Sequence, residues 1–388
     1  MRVLVTTEFY LPFRCGVTSA VEAEIAALRN MGDEVRVLTI SETERSHYDE
    51  AVSCWYVKAT MKSFYKDSSA SLNTRDPILK EVLEWKPDII HSQSEFFSFV
   101  FASSISRRLS VPIVHTCHTD FAAYTCHFTS FYRTWNFLAS VFVPLFIHRA
   151  RRIICSTDKI YSLISSYRVK QPIDRILVGI DLGIFSRPLS PDERSALRRS
   201  YGVGDSDVLF VSVSRLSREK NSRETLSLFE KLRRSVDNVK LLFVGDGDEK
   251  PSLEREVKEK GLEASVFFSG EIAHSEVWKY YRAGDIYIGS SLSETQCLSY
   301  IEAMASSLSV IVRYDSVLSS YLVSGVNGFS YNTEKEFLAT AYALIGDAEK
   351  RREIGSRAER DSRVFSLSIF GEKLHECFEK AIRDESQR

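Results

Sequence analysis

The chain has 388 residues, 44% of them hydrophobic and 27% charged, and its net charge is −1. That length exceeds one ordinary core and predicts two domains. The composition argues against a disordered chain and against nucleic-acid binding by bulk charge. The seven cysteines (15, 54, 117, 126, 155, 297 and 377) include no C-x-x-C pair. They suggest neither a disulfide framework nor a zinc site, and fit a reducing cytoplasm.

The chain opens into a strand-like run, Val3 to Thr6, with no basic and apolar leader before it, so no secretory signal is expected. A loop with Pro12 and Gly16, a helix from Ser19 to Met31 stopped by Gly32, and a strand from Val35 to Ile40 then make a βαβ unit. Apolar runs at 52–57, 88–91, 111–115, 153–156 and 175–178 continue as strands. With helices between several of them, they predict a mostly parallel sheet covered on both faces. Residues 137–147 form the longest apolar stretch, interrupted by Ser140 and Pro144. It falls short of the roughly 20 residues that span a bilayer, so a soluble or peripheral protein is expected.

Polar residues with Pro188 and Pro191 break the pattern, and Asp207 to Ser214 restarts it as the first strand of a second sheet. The predicted domains are 1–183, joined by a last helix within 364–388 that packs back on it, and 184–363. The second half alternates helices at 223–235, 249–260, 274–283 and 298–306 with strands at 240–244, 265–268, 285–289 and 310–313. The fold class is α/β, two doubly wound Rossmann-like domains facing across a cleft, with ligands at the carboxyl ends of strands.

Glu294 and Glu302 lie eight positions apart in SETQCLSYIEAMAS, Glu294 in a loop and Glu302 about one turn inside the next helix. The first amides of that helix and the positive end of its dipole favour phosphate oxygens. Thr295, Gln296, Cys297 and Leu298 supply those amides. Arg215 and Lys220 follow the strand that opens the second domain, where fixed cations would stabilise a departing diphosphate. The alternative is a solvated basic pair at a helix start. In the first domain Gly16 and Val17 follow the first strand. Glycine there either admits a phosphate close to the backbone or serves the turn. No G-x-G-x-x-G is present, which counts against a dehydrogenase.

The E-x7-E pair resembles the signature of retaining glycosyltransferases of family 4, which have the GT-B fold. Arg215, Leu216, Glu219, Lys220 and Asn221 match the family's R-L-x-x-E-K-N segment, whose Arg and Lys hold the phosphates. The stretch 267–288 resembles the family's base-binding loop and the helix after it, which places Glu271 and Ile272 at the uracil edge. VPIVHTCHTDFAAY, residues 111–124, is similar to segments of members that glucosylate diacylglycerol, the 1,2-diacylglycerol 3-glucosyltransferases. There the second His, here His118, contacts the donor sugar, and Tyr124 falls at a matching tyrosine.

The resemblance implies a UDP-sugar donor, a retained anomeric configuration and no essential metal. Glu294 would contact the sugar and Glu302 the ribose. His115 and His118 hint at a metal, but no convincing third ligand stands nearby in the sequence. Residues 101–176 hold ten Lys or Arg against three Asp. Within 127–152 the basic residues are mixed with Trp135, Phe137, Phe142 and Phe146, which would suit an anionic membrane surface. The alternative is a core helix broken at Pro144.

Departures from the family pattern are Cys297 and Ser214 where glycines are usual, Cys15 where Asn often precedes Gly16, and Ser306, Ser307, Leu308, Ser309 and Val310 in place of S-G-x-P-V. The acceptor expected is a lipid such as diacylglycerol. A polysaccharide, phosphoinositol or protein acceptor, and a catalytically weak sugar-nucleotide-binding partner subunit, are the alternatives.

Overall fold

The computed structural model describes residues 1–387 except 12, 14, 63–68 and 119–131, and side chains 132–136 are likewise not described. Two compact units emerge, Met1–Gly179 with Leu367–Arg388 (unit 1) and Ile180–Ser366 (unit 2). The divisions fall at 179/180 and 366/367, a few residues from the expected 183/184 and 363/364.

Unit 1 contains β1 (Arg2–Thr6), α1 (Gly16–Asn30), β2 (Glu34–Ser41), β3 (His47–Asp49), β4 (Cys54–Lys58), β5 (Met61–Lys62), β6 (Ser69–Ala70), α2 (Ile78–Trp85), β7 (Ile89–Ser92), α3 (Phe97–Leu109), β8 (Ile113–Cys117), α4 (Tyr132–Phe146), β9 (Arg152–Cys155), α5 (Asp158–Ser166) and β10 (Ile173–Arg175). Among the described residues the main sheet runs β10-β9-β8-β7-β1-β2-β4-β3, parallel except for β3. Val3, Leu4, Val5, Ile89, Ile90, Ile113 and Val114 are fully buried, because helices cover both faces. Residues of α2, α3, α4 and α5 share one core with the sheet. The expected strand at 175–178 is found at 173–175, at the sheet edge.

Unit 2 contains α6 (Leu182–Phe185), α7 (Pro191–Ser200), β11 (Val208–Val213), α8 (Ser222–Arg233), β12 (Val239–Val244), α9 (Lys250–Glu259), β13 (Val266–Phe268), α10 (Val277–Ala283), β14 (Ile286–Gly289), α11 (Leu298–Ala305), β15 (Ser309–Arg313), β16 (Phe329–Tyr331), α12 (Glu334–Gly346) and α13 (Ala348–Asp361). Its parallel sheet has the order β13-β12-β11-β14-β15-β16, so the winding reverses between β11 and β14. Ligands of such sheets bind outside the strand ends at that reversal.

The segment expected to be an interruption is the helix α7. Ser190 and Glu193 form a capping box and Pro191 takes the first turn, where its missing N–H costs nothing. Its buried Arg198 donates to the carbonyls of Ala283, Gly204 and Asp207 and to Asp285, which fixes the entrance of β14. The last helix, α14 (Leu367–Ser386), closes unit 1 against α1. A Cβ on Gly371 would sit 3.1 Å from the carbonyl oxygen of Ala27 and 3.0 Å from the Met31 sulfur, so glycine is what lets the two helices meet.

Candidate active site

The reversal point of unit 2 is built by the loops after β11 and β14. The carbonyl of Glu219 accepts the Leu292 N–H at 3.0 Å and the Ser291 hydroxyl at 3.2 Å, which joins the two loops through the backbone. That contact places Lys220 Nζ 2.6 Å from Glu294 Oε1. Burial works against the ammonium, and the facing Glu294 carboxylate, helped by Glu219, outweighs it, so the Lys220 pKa stands above the usual lysine value. Lys220 is a fixed cation at the mouth of the sheet. Arg215 lies five residues earlier, half exposed, with its guanidinium 3.8 Å from the Glu219 carboxylate.

Glu294 is buried, and its backbone N–H donates to Asp315. The Gln296 carbonyl accepts the Tyr321 hydroxyl at 2.8 Å. Thr295 is partly buried, and Leu298 opens α11. Cys297 caps that helix in the left-handed region, φ 59° and ψ 77°. Its thiol is pushed well above the ordinary range by burial and by Glu294, which keeps it protonated. One turn into α11, Glu302 accepts a 2.8 Å hydrogen bond from Tyr281, and its other oxygen lies 3.4 Å from His274 Nε2. Burial and then Glu302 hold the Tyr281 phenol well above its normal pKa, so it is a donor. Tyr281 and His274 were not singled out from the sequence as partners of Glu302. The clue lies in the helix spacing that aims 281 at the start of α11.

Sequence reasoning also passed over Gly245 and Gly247. A Cβ on Gly245 would meet the Ser214 carbonyl oxygen at 2.1 Å, and one on Gly247 would meet that of Leu216 at 2.3 Å. Both have positive φ, so only glycine brings the loop after β12 against the loop that carries Arg215. The Gly245 N–H then donates to Gly270, which sets the position of exposed Glu271 and half-buried Ile272 after β13. Arg215, Lys220, Glu271, Ile272, Glu294 and Glu302 thus share the carboxyl edge of one sheet, whereas His118 and Gly16 belong to unit 1.

In unit 1 the winding reverses between β2-β1 and β7, and polar residues gather there. His118 Nε2 hydrogen-bonds Gln93 Oε1, and Gln93 donates through its amide to Glu24. Glu24 also holds His91 at 2.5 Å, and the other nitrogen of His91 reaches Thr116 at 2.7 Å. Burial, then His91 and His115, lower the His118 pKa to about 3, so its imidazole is neutral. Glu8 accepts from the Ser98 N–H, and burial raises its pKa to about 7. Gly16 is exposed at the start of α1, with open space around a hypothetical Cβ and no positive φ. The turn does not require it, which leaves its accessible amide, beside half-buried Val17, as its structural contribution. Tyr124 lies outside the described residues.

The family model "Glycosyltransferase Family 4" matches residues 15–183, and "Glycosyl transferases group 1" matches 193–361. The chain belongs to the family 4 glycosyltransferases. Its curated relatives include the alpha-monoglucosyldiacylglycerol synthase of Streptococcus pneumoniae, 29% identical over 98% of this chain and 86% of that protein. The protein of the same name from Acholeplasma laidlawii is 26% identical over 97% and 96%. The crystal structure of Anabaena Alr3699/HepE in complex with UDP and glucose aligns with a TM-score of 0.77 at 20% identity, over 98% of this chain and all of that one. The fold is GT-B.

Within this family, the lost glycines acquire a physical meaning. Cys297 and Ser307 both keep a left-handed backbone, φ 59° at each, where the family pattern has glycine. The backbone geometry is retained at roughly 1–2 kcal/mol of strain per side chain. In α4, Pro144 does not break the helix. Phe137, Val141, Phe142 and Leu145 are exposed along the helix while Ala139 and Val143 are buried. Phe146 packs edge-on against Phe96 at 5.3 Å, which removes it from the set expected to insert into a membrane. Trp135 is among the side chains not described. No helix of the described residues is long and apolar enough to cross a membrane.

Proposed function

We propose that this glycosyltransferase moves a hexose, glucose in the first instance, from a UDP-sugar to a lipid hydroxyl such as that of diacylglycerol, with retention of configuration. The observation that carries the reading is the Lys220–Glu294 pair at the reversal point of unit 2. A cation there meets the charge that develops on a departing diphosphate, and a buried carboxylate beside it takes sugar hydroxyls. Glu302, already oriented by Tyr281, would take the ribose. Backbone groups at Glu271 and Ile272 would pair with the base.

In the proposed route the bond from the anomeric carbon to the diphosphate oxygen breaks, with Lys220 and Arg215 stabilising the leaving group. The diphosphate takes the proton of the acceptor hydroxyl, whose oxygen bonds the anomeric carbon on the same face. His118, a neutral imidazole, hydrogen-bonds the sugar, and no metal takes part in the step. The lipid acceptor is supported by the names of the two relatives and by the exposed apolar residues of α4. His148, Arg149, Arg151, Arg168 and Lys170 line a pocket beside Pro144, a basic rim suited to anionic headgroups. Such a surface would dock the enzyme peripherally on a membrane.

The test is to offer a panel of UDP-sugars with diacylglycerol in anionic vesicles, with EDTA present, and to identify the product by mass and by its anomeric proton signal. An α-linked monoglucosyl lipid is expected. Transfer only to soluble glycosides, a β-linked product, or strict dependence on Mg²⁺ would each overturn a named part of the reading.

A further inference from the structure

The structure gathers a second set of chemically active side chains in unit 1 that the transfer reaction does not use. Glu95, His115 and Cys117 are 5%, 0% and 1% exposed. Each offers a ligand atom, and these atoms lie within 4.8 Å of one another. Residues 115 and 117 alternate along β8 and so point to the same face. Glu95 enters from the segment between β7 and α3. Neither ring nitrogen of His115, nor Glu95 Oε1, has a hydrogen-bond partner among the described residues, and His115 Nε2 stands 3.5 Å from that oxygen. The Phe99 ring closes one side of the imidazole at 5.5 Å.

A buried imidazole and carboxylate left unpaired in this way cost several kcal/mol unless something lies between them. A water molecule needs two or more polar partners, and the third wall here is a sulfur, a weak hydrogen-bond partner. A borderline-soft cation uses all three atoms. Cys155 stands opposite Cys117 in the register of β8 and β9, and its side chain pushes the Cys117 thiol up. A second sulfur is therefore at hand for a fourth position.

We propose that Glu95, His115, Cys117 and Cys155 form a buried structural site for Zn²⁺ in unit 1. The ion displaces the protons of the thiols to solvent and clasps β8, β9 and the segment before α3, with Cys117 directly preceding His118 in the chain. In a tetrahedral zinc site the ligand atoms stand about 3.4–3.8 Å apart, so the cluster contracts by about 1 Å on binding. The sequence alone did not reveal the site, because Glu95 and Cys155 come from other segments of the chain. The inference is independent of the proposed transfer reaction.

The experiment uses the full chain produced in zinc-sufficient medium and, separately, in cobalt-substituted medium. About one zinc per chain is expected by elemental analysis, retained after dialysis against a chelator. The cobalt form should show thiolate-to-cobalt charge transfer with the visible bands of a tetrahedral ion. Cys117→Ser and Cys155→Ser should each roughly halve the charge-transfer absorption per bound cobalt and the double variant should lose it, and Glu95→Gln should lower metal content at least tenfold with an unchanged circular dichroism spectrum. Cys54→Ala, which changes a buried cysteine outside the cluster, should keep one metal. A folded wild-type chain with well under one metal and no thiolate band overturns the proposal, as does a metal content that Glu95→Gln leaves unchanged.

Discussion

The two sheets reverse their winding in the same way, yet the reversal points are chemically opposite. In unit 2 the loops present a charged pair, Lys220 and Glu294, backed by a half-exposed Arg215. In unit 1 they present a neutral His118 and a Glu8 whose carboxyl is pushed up to about 7, beside the buried Glu24–His91 pair. In the proposed function the first crevice would take the diphosphate and the second the sugar face and the acceptor. The fold supplies the position of a site, and the loop residues decide its charge.

The comparison breaks most visibly if the charged end is neutralised. Lys220→Ala should lower kcat by about 10²–10³, the scale of losing one preorganised electrostatic contact to the leaving group. Steady-state kinetics with circular dichroism as the folding control would check this, and unchanged turnover would remove the site assignment.

In unit 1 the informative group is Glu8. Its folded pKa is raised above the ordinary 4.5 to about 7. The folded state therefore binds the extra proton between those values, and stability falls as pH rises through that window. The loss amounts to about 3 kcal/mol and is complete above about pH 7. Glu8→Gln keeps the acceptor for Ser98 and mimics the protonated acid. It should match wild type near pH 4 and exceed it by up to that amount at pH 8 in denaturant titrations; parallel pH profiles would contradict this.

His118→Ala should reduce kcat about 10–100-fold if the neutral imidazole only orients the sugar, a smaller loss than at Lys220. An equal or larger loss would shift weight to unit 1. The smallest effect is expected at Cys297. Cys297→Gly relieves the left-handed strain at the start of α11 and should raise stability by at most about 1 kcal/mol in thermal unfolding. It should also widen the pocket, seen as an altered preference among UDP-sugars.

Most of the alternation of strands and helices was legible because buried parallel strands read as continuous apolar runs, as in Val3–Val5 and Val208–Val213. α7 was missed because Pro191 and its polar neighbours read as a break, although Ser190 and Glu193 carry a helix-start signal. The charged residues of the donor site were legible as short motifs. Their supports, Tyr281, Gly245 and Gly247, were not, nor was Gln93, which holds His118 in unit 1: all act through contacts between segments far apart in the chain. The same holds for Glu95, His115 and Cys117, where the sequence showed histidines without the third ligand. Cys297 was noticed as a missing glycine, and its positive φ explains why glycine belongs there.

In the proposed donor site Lys220 holds the diphosphate and Glu294 the sugar. Calorimetric titration of the full chain with UDP and with UDP-glucose separates the two roles. Lys220→Ala should weaken both ligands, while Glu294→Gln should weaken UDP-glucose and leave UDP close to wild type. Equal weakening of both ligands by Glu294→Gln, or wild-type UDP binding by Lys220→Ala, would contradict it.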